Sequence, residues 1–92
     1  MTKDEISKII QACAMLHSIA TNNHISIEIP ANRDDGPWVT LNYLKELYEL
    51  GEEMRVVNRG KVYRVISYKE GVIFSVENVT EPYLKEYGLH IP

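Results

Sequence analysis

Hydrophobic and polar positions alternate along the chain in two rhythms, one helical and one of strand type. Ile6, Ile9, Ile10, Cys13, Leu16 and Ala20 recur at helical spacing and make one apolar stripe. Ahead of them Thr2 and Glu5 form a capping box: the Thr2 hydroxyl accepts from the Glu5 amide, and the Glu5 carboxylate accepts from the Thr2 amide. Asn22-Asn23 closes this helix. His24 to Ile29 then alternates strictly, with Ile25, Ile27 and Ile29 on one face and His24, Ser26 and Glu28 on the other. That spacing predicts a half-buried strand over 24–29, stopped by Pro30.

Residues 31–38 read as a polar loop, with Arg33-Asp34-Asp35-Gly36-Pro37 as turn chemistry. Thr40 is placed to cap a second helix that turns Leu41, Leu44, Leu47 and Tyr48 inward and ends at Gly51. Strands are expected over 53–58, 61–68 and 72–79. Asn58-Arg59-Gly60 and Lys69-Glu70-Gly71 each fit a three-residue hairpin loop with Gly in the left-handed position. Such loops pair Val57 with Lys61 and Tyr68 with Val72. Both hairpins then place Met54, Val56, Val62, Ile66, Tyr68, Val72, Phe74 and Val76 on one face, the expected core. The other face carries Arg55, Val57, Lys61, Tyr63, Val65, Ile73, Ser75 and Glu77, and is half apolar. A short terminal helix runs from its cap Thr80 to Tyr87, with Pro82 in its first turn and Gly88 as its stop.

The expected fold class is therefore α+β, in one domain over 1–92. A small, mainly antiparallel sheet (one N-terminal strand plus two consecutive hairpins) packs against the first two helices, in the order α-β-α-β-β-β-α. Composition agrees: 92 residues, 45% hydrophobic and 25% charged, are ordinary globular values. A single cysteine, Cys13, excludes an internal disulfide and a cysteine-based zinc site, and its place in the apolar stripe makes it an expected core residue. No apolar run approaches the ~20 residues needed to span a bilayer, and Met-Thr-Lys-Asp-Glu has no signal-peptide character. A cytoplasmic protein without membrane contact is expected.

Charge sharpens the picture. Arg55, Arg59, Lys61, Arg64 and Lys69 fall in one stretch that holds no anion, inside a chain of net charge −3. Cations gathered on one hairpin steer a partner of opposite sign. With the aliphatics and Tyr63 beside them, Arg55, Val57, Arg59, Lys61, Tyr63, Val65, Lys69 and Ile73 are the candidate partner-binding residues. Glu46, Glu49, Glu52 and Glu53, near the end of the second helix, are a candidate acidic patch.

No catalytic constellation emerges. His17, His24 and His90 lie far apart and form no metal-ligand pair on one helix face, so neither metal nor cofactor is expected. Asp34-Asp35-Gly36 lacks the calcium-loop spacing, and no nucleophile motif or phosphate loop occurs. The expected function is that of a non-enzymatic adaptor or inhibitor that docks on a larger protein, or on its own copy as a homodimer, through the outer face of the hairpins. Single-stranded nucleic-acid binding by the basic hairpin is the second expectation. A small-ligand pocket between subunits is the third. Small acidic chains of this kind are frequent among accessory proteins of phages and mobile elements, an analogy of size class alone.

Overall fold

The computed structural model describes residues 1–29 and 36–92. Within them run α1 (Lys3–Asn23), β1 (Ser26–Glu28), β2 (Trp38–Leu41), α2 (Leu44–Tyr48), β3 (Arg55–Asn58), β4 (Tyr63–Lys69), β5 (Val72–Val79) and α3 (Glu81–Glu86). The strands form one sheet in the order β1-β2-β5-β4-β3. It is antiparallel throughout, except that β2 lies parallel to β5. The expected α+β class with a mainly antiparallel sheet is present. The expected turn over 33–37 falls mostly outside the described residues.

One strand is added to the expected order. Trp38–Leu41 carries an aromatic and two β-branched residues in four, good strand chemistry. Thr40 stands inside this strand, opposite Ser26 and Ser75, and caps no helix. α2 starts later, at Leu44, where the Tyr43 amide donates to Glu46 Oε1 at 3.2 Å. Through β2 the short β1 joins the hairpins: β2 pairs with β1 on one side and β5 on the other.

The core lies on one sheet face. Leu44 and Leu47 of α2 and Leu84 of α3 are buried against Val65, Val76 and Val79. Leu41, Met54, Val56, Tyr63 and Phe74 pack around them, and Tyr48 and Tyr87 meet with ring centroids 5.3 Å apart, tying α2 to α3. Leu47 and Leu84 are fully enclosed, so truncating either to Ala removes about 2–5 kcal/mol.

The register differs from expectation on both sides of β4. Lys69 pairs with Val72, leaving a two-residue turn in which Glu70 (φ 49°) and Gly71 (φ 85°) are both left-handed. Two left-handed residues make the tight turn whose twist matches the strands it joins. On the other side Asn58 pairs with Tyr63, so the loop is four residues long, closed by the Arg59 amide donating to the Val62 carbonyl at 2.9 Å. Each pairing is offset from the expected one by an odd number of residues, which turns a strand over. β4 alone is inverted relative to expectation. Val65 and Tyr63 face the core, while Ile66 and Tyr68 face outward. β3 and β5 keep their expected faces, and Met54, Val56, Phe74 and Val76 pack in or against the core.

α1 begins with the expected capping box. The Thr2 amide donates to Glu5 Oε1 (2.9 Å), and the Glu5 amide donates to Thr2 Oγ1 (3.1 Å). At its other end His24 is a left-handed cap (φ 53°) rather than a strand residue, and Asn42 Nδ2 donates to the carbonyls of Asn23 (2.9 Å) and His24 (3.2 Å). The helix does not pack on the core face as expected. None of its 21 residues is buried, and Cys13 is exposed. α2 and α3 already fill the core face, and the chain leaves α1 through His24 beside the edge strand β1. The described residues extend 50 × 28 × 24 Å, with α1, about 31 Å long, standing out from the sheet.

Two outcomes test this arrangement. Val65→Asp places an unpaired charge in the core and costs at least about 3 kcal/mol in chemical denaturation. Val57→Asp, on the outer face opposite Arg64, stays within about 0.5 kcal/mol of wild type. The reverse ranking refutes the register. In α1 the Thr2 amide, and after it the Thr2 hydroxyl, hold the exposed Glu5 carboxyl below the usual glutamate range. A lowered folded value means the cap's contribution is complete above about pH 4.3 and fades as pH falls through the lowered value. Far-UV circular dichroism of the wild type loses helix signal in that acid window, and Glu5→Gln removes this step. An identical acid profile in both proteins refutes the cap's role.

Candidate interaction surface

The inverted β4 gives the outer face of the sheet its character. Side chains at paired positions share a face, so the register lays out rows across the strands. One row runs Glu28, Trp38, Ile73, Tyr68 from β1 to β4. The next runs Ser26, Thr40, Ser75, Ile66, Arg55 from β1 to β3. Val57 and Arg64 are paired beyond them. Tyr68 is 60% exposed, and Trp38, Ile66 and Ile73 are half-buried. An open groove of about 530 Å³ lies among Trp38, Arg55, Ile66, Tyr68 and Ile73, with Glu53 at its margin.

Trp38 is held from two directions. Its Nε1 donates to Ser75 Oγ at 2.7 Å, and Ser75 is fully buried beneath it. The Arg64 guanidinium lies over the indole, its Cζ 5.5 Å from the ring centroid. Arg64 Nε in turn donates to Glu77 Oε1 at 2.6 Å in a half-buried pair. A bulge lies beside that pair. Between the pairs Val65–Val76 and Tyr63–Val79 β5 carries one residue more than β4, and Asn78 takes a left-handed φ of 56°. Asn tolerates this conformation better than most residues.

The start of β2 is fixed by its neighbour. The Ile73 amide donates to the Pro37 carbonyl at 2.9 Å, and Gly36 (φ 79°) sits so close to the hairpin turn that a Cβ there would lie 2.2 Å from the Gly71 oxygen. Only glycine fits this approach. It sets Trp38 opposite Ile73, at the groove.

The sequence-predicted residues are dispersed. Arg55, Val57 and Ile73 lie on the outer face as expected. Arg59 and Lys61 are exposed in the β3–β4 turn. Val65 is a core residue with no exposed surface, and Tyr63 packs against the core, because β4 is inverted. Lys69 faces the core side at the hairpin end, and its Nζ donates to the Leu50 carbonyl at 3.4 Å. The five cations therefore do not form one basic face.

The four glutamates are likewise not one patch at a helix end. Glu46 caps the start of α2, Glu49 lies 3.9 Å from Lys45, and Glu52 and Glu53 follow α2 in the connection to β3. Trp38, Arg64, Ile66 and Tyr68 were not expected on this face. Reading Glu70-Gly71 as a two-residue turn finds the β4 pair, and reading Trp38–Leu41 as a strand finds Trp38. Among the described residues no group of three His, Cys, Asp or Glu is placed to hold a metal ion. No helix among them is long and apolar enough to cross a membrane.

Compared with protein-family models, curated proteins and solved structures, the chain matches none. The surface is thus characterised by its own chemistry: an amphipathic aromatic pair, aliphatic floor residues, one arginine neutralised by a carboxylate and one without an ion pair among the described residues.

Trp38 is the chain's one tryptophan, so its fluorescence reports the surface directly. Ser75→Ala removes the acceptor from a half-buried indole and lowers stability by about 1–2 kcal/mol, with a shifted emission maximum. Wild-type stability and emission in that variant would show that Ser75 does not hold the indole.

Proposed function

We propose that this chain is a binding module rather than an enzyme, and that it docks on a larger protein through the outer sheet face around Trp38. One observation carries this reading: Trp38, Tyr68, Arg55, Ile66 and Ile73 share one groove on the sheet face opposite the buried core. Trp, Tyr and Arg anchor protein interfaces because they combine large apolar area with a polar handle, while aliphatic neighbours exclude water. The Ser75 and Arg64 contacts hold the indole in place before a partner arrives, which reduces the entropy lost on docking.

Single-stranded nucleic acid is the rival occupant. It needs cations free to neutralise phosphates along a track. Here Arg64 is engaged by Glu77, Lys69 turns to the core side, and Glu28 and Glu53 border the same region. This distribution favours a protein surface of mixed polarity.

The test uses variants that leave the Trp38 support intact. Wild-type protein and Lys61→Glu, altered only in the β3–β4 turn, recover the same nuclease-resistant partner from native lysate. Tyr68→Ala combined with Arg55→Glu, folded by circular dichroism, binds that purified partner at least about 30-fold more weakly. Equal affinity of the double variant refutes the proposal. A partner lost on nuclease treatment, with affinity falling steeply as salt rises, establishes the rival.

A further inference from the structure

We infer that α1 is an oligomerisation helix: two copies of the chain pair their α1 helices antiparallel, the N-terminal half of each filling the cleft between α1 and β1 of the other. Apolar side chains occupy more than half the circumference of α1, and no Asp, Glu, Lys or Arg occurs from Ile9 to Asn23. Yet no residue of the helix is buried within its own chain: Leu16 and Ala20 are half-covered, and Ile6, Ile9 and Ile10 are exposed to 47%, 49% and 64%. An arc this wide suits a helix covered on two sides, as in a bundle, better than the narrow seam of a simple coiled coil.

The occupant follows from shape and area. Ile6, Ile9, Cys13, Leu16 and Ala20 repeat at alternating steps of three and four, and the spacing is nearly symmetric about Cys13. The bulk is not symmetric. Isoleucines fill the first half, while the second half ends in Ala20. Antiparallel pairing sets Ile6 against the partner's Ala20 and Ile9 against the partner's Leu16, so large meets small at both ends of the seam. Parallel pairing sets large against large at one end and leaves a gap at the other.

Beside Leu16 and Ala20, Ile27 and Ile29 of the β1 region complete an apolar cleft of about 230 Å³. It lies where the partner's Ile6 and Ile10 arrive. Seam and both clefts together remove on the order of 1,000–1,500 Å² from water, the range at which a specific interface becomes stable. A lipid surface is the poorer occupant: beyond Lys8 the polar side of α1 offers only Gln11, His17, Ser18, Thr21 and asparagines, with no basic rim for anionic headgroups.

Light scattering coupled to size exclusion tests this with the full chain. Wild type runs as a dimer or an even-numbered oligomer, and Ile9→Glu as a monomer with unchanged Trp38 fluorescence, since α1 contributes nothing to the core. Ala20→Ile weakens association at least about tenfold by meeting the partner's Ile6, and Ile6→Ala with Ala20→Ile restores it. A short bismaleimide joins two chains through Cys13 in wild type and not in Ile9→Glu. A wild type that stays monomeric at about 100 μM, near the weak end of specific association, overturns the proposal, as does an Ile9→Glu protein that remains dimeric. Failure of the double variant to recover overturns the antiparallel arrangement.

Discussion

In a sheet with one covered face, the turn between two strands decides which side chains reach the core, because side chains alternate with a period of two. Here that decision rests on Glu70-Gly71. Both residues are left-handed, so Lys69 pairs with Val72, Ser67 with Phe74, and Val65 with Val76. Val65 and Val76 then close under Leu44, Leu47 and Leu84, and Ser67 Oγ, also turned inward, donates to the Glu53 carbonyl at 2.9 Å. The same turn sends Ile66 and Tyr68 outward to the groove. Core and candidate surface are two faces of one constraint, and the close approach of Gly36 to Gly71 extends it to β2 and thus to Trp38.

Much of this was legible in the residues, and the exceptions have physical causes. Thr2 and Glu5 announce the start of α1, and the strands around Arg55–Asn58, Tyr63–Lys69 and Val72–Val79 follow from their β-branched runs. The facing of β4 was not legible, because Gly71 serves equally well in a two-residue and a three-residue turn. Only the left-handed φ of Glu70, unusual for a side chain of that kind, separates them. The β3–β4 loop shifted by an odd count too, so two independent expectations agreed on the wrong face. Agreement between hairpins that share a strand checks only their parity relative to each other.

Trp38 and Thr40 show a different limit. Threonine is a good helix cap and a good strand residue, and four residues are too few for periodicity to choose. Tertiary pairing chooses: β2 is sandwiched between β1 and β5, and Trp38 gains the Ser75 acceptor and the Arg64 guanidinium only as a strand residue. The candidate site inherits both uncertainties, since its aromatic pair comes from the strand that was not expected and the strand that was inverted. Arg55, Val57 and Ile73 were found because β3 and β5 kept their faces.

The apolar stripe of α1 poses the opposite case. Its pattern was read correctly as a helix with a sticky side, but the inference that the side belongs to this chain's own core does not follow from the pattern. Periodicity reports that a face is buried somewhere, and is silent on which molecule supplies the cover. Within the chain the cover is already complete, because Leu44, Leu47 and Leu84 occupy the core face and Asn42 anchors only the final turn of α1. Ile6, Ile9 and Ile10 are left in water at a cost of roughly 25 cal/mol for each Å² of apolar surface. A sequence that keeps fifteen consecutive uncharged residues on an exposed helix, Ile9 to Asn23, carries that cost in the monomer and recovers it only where a second surface closes over it.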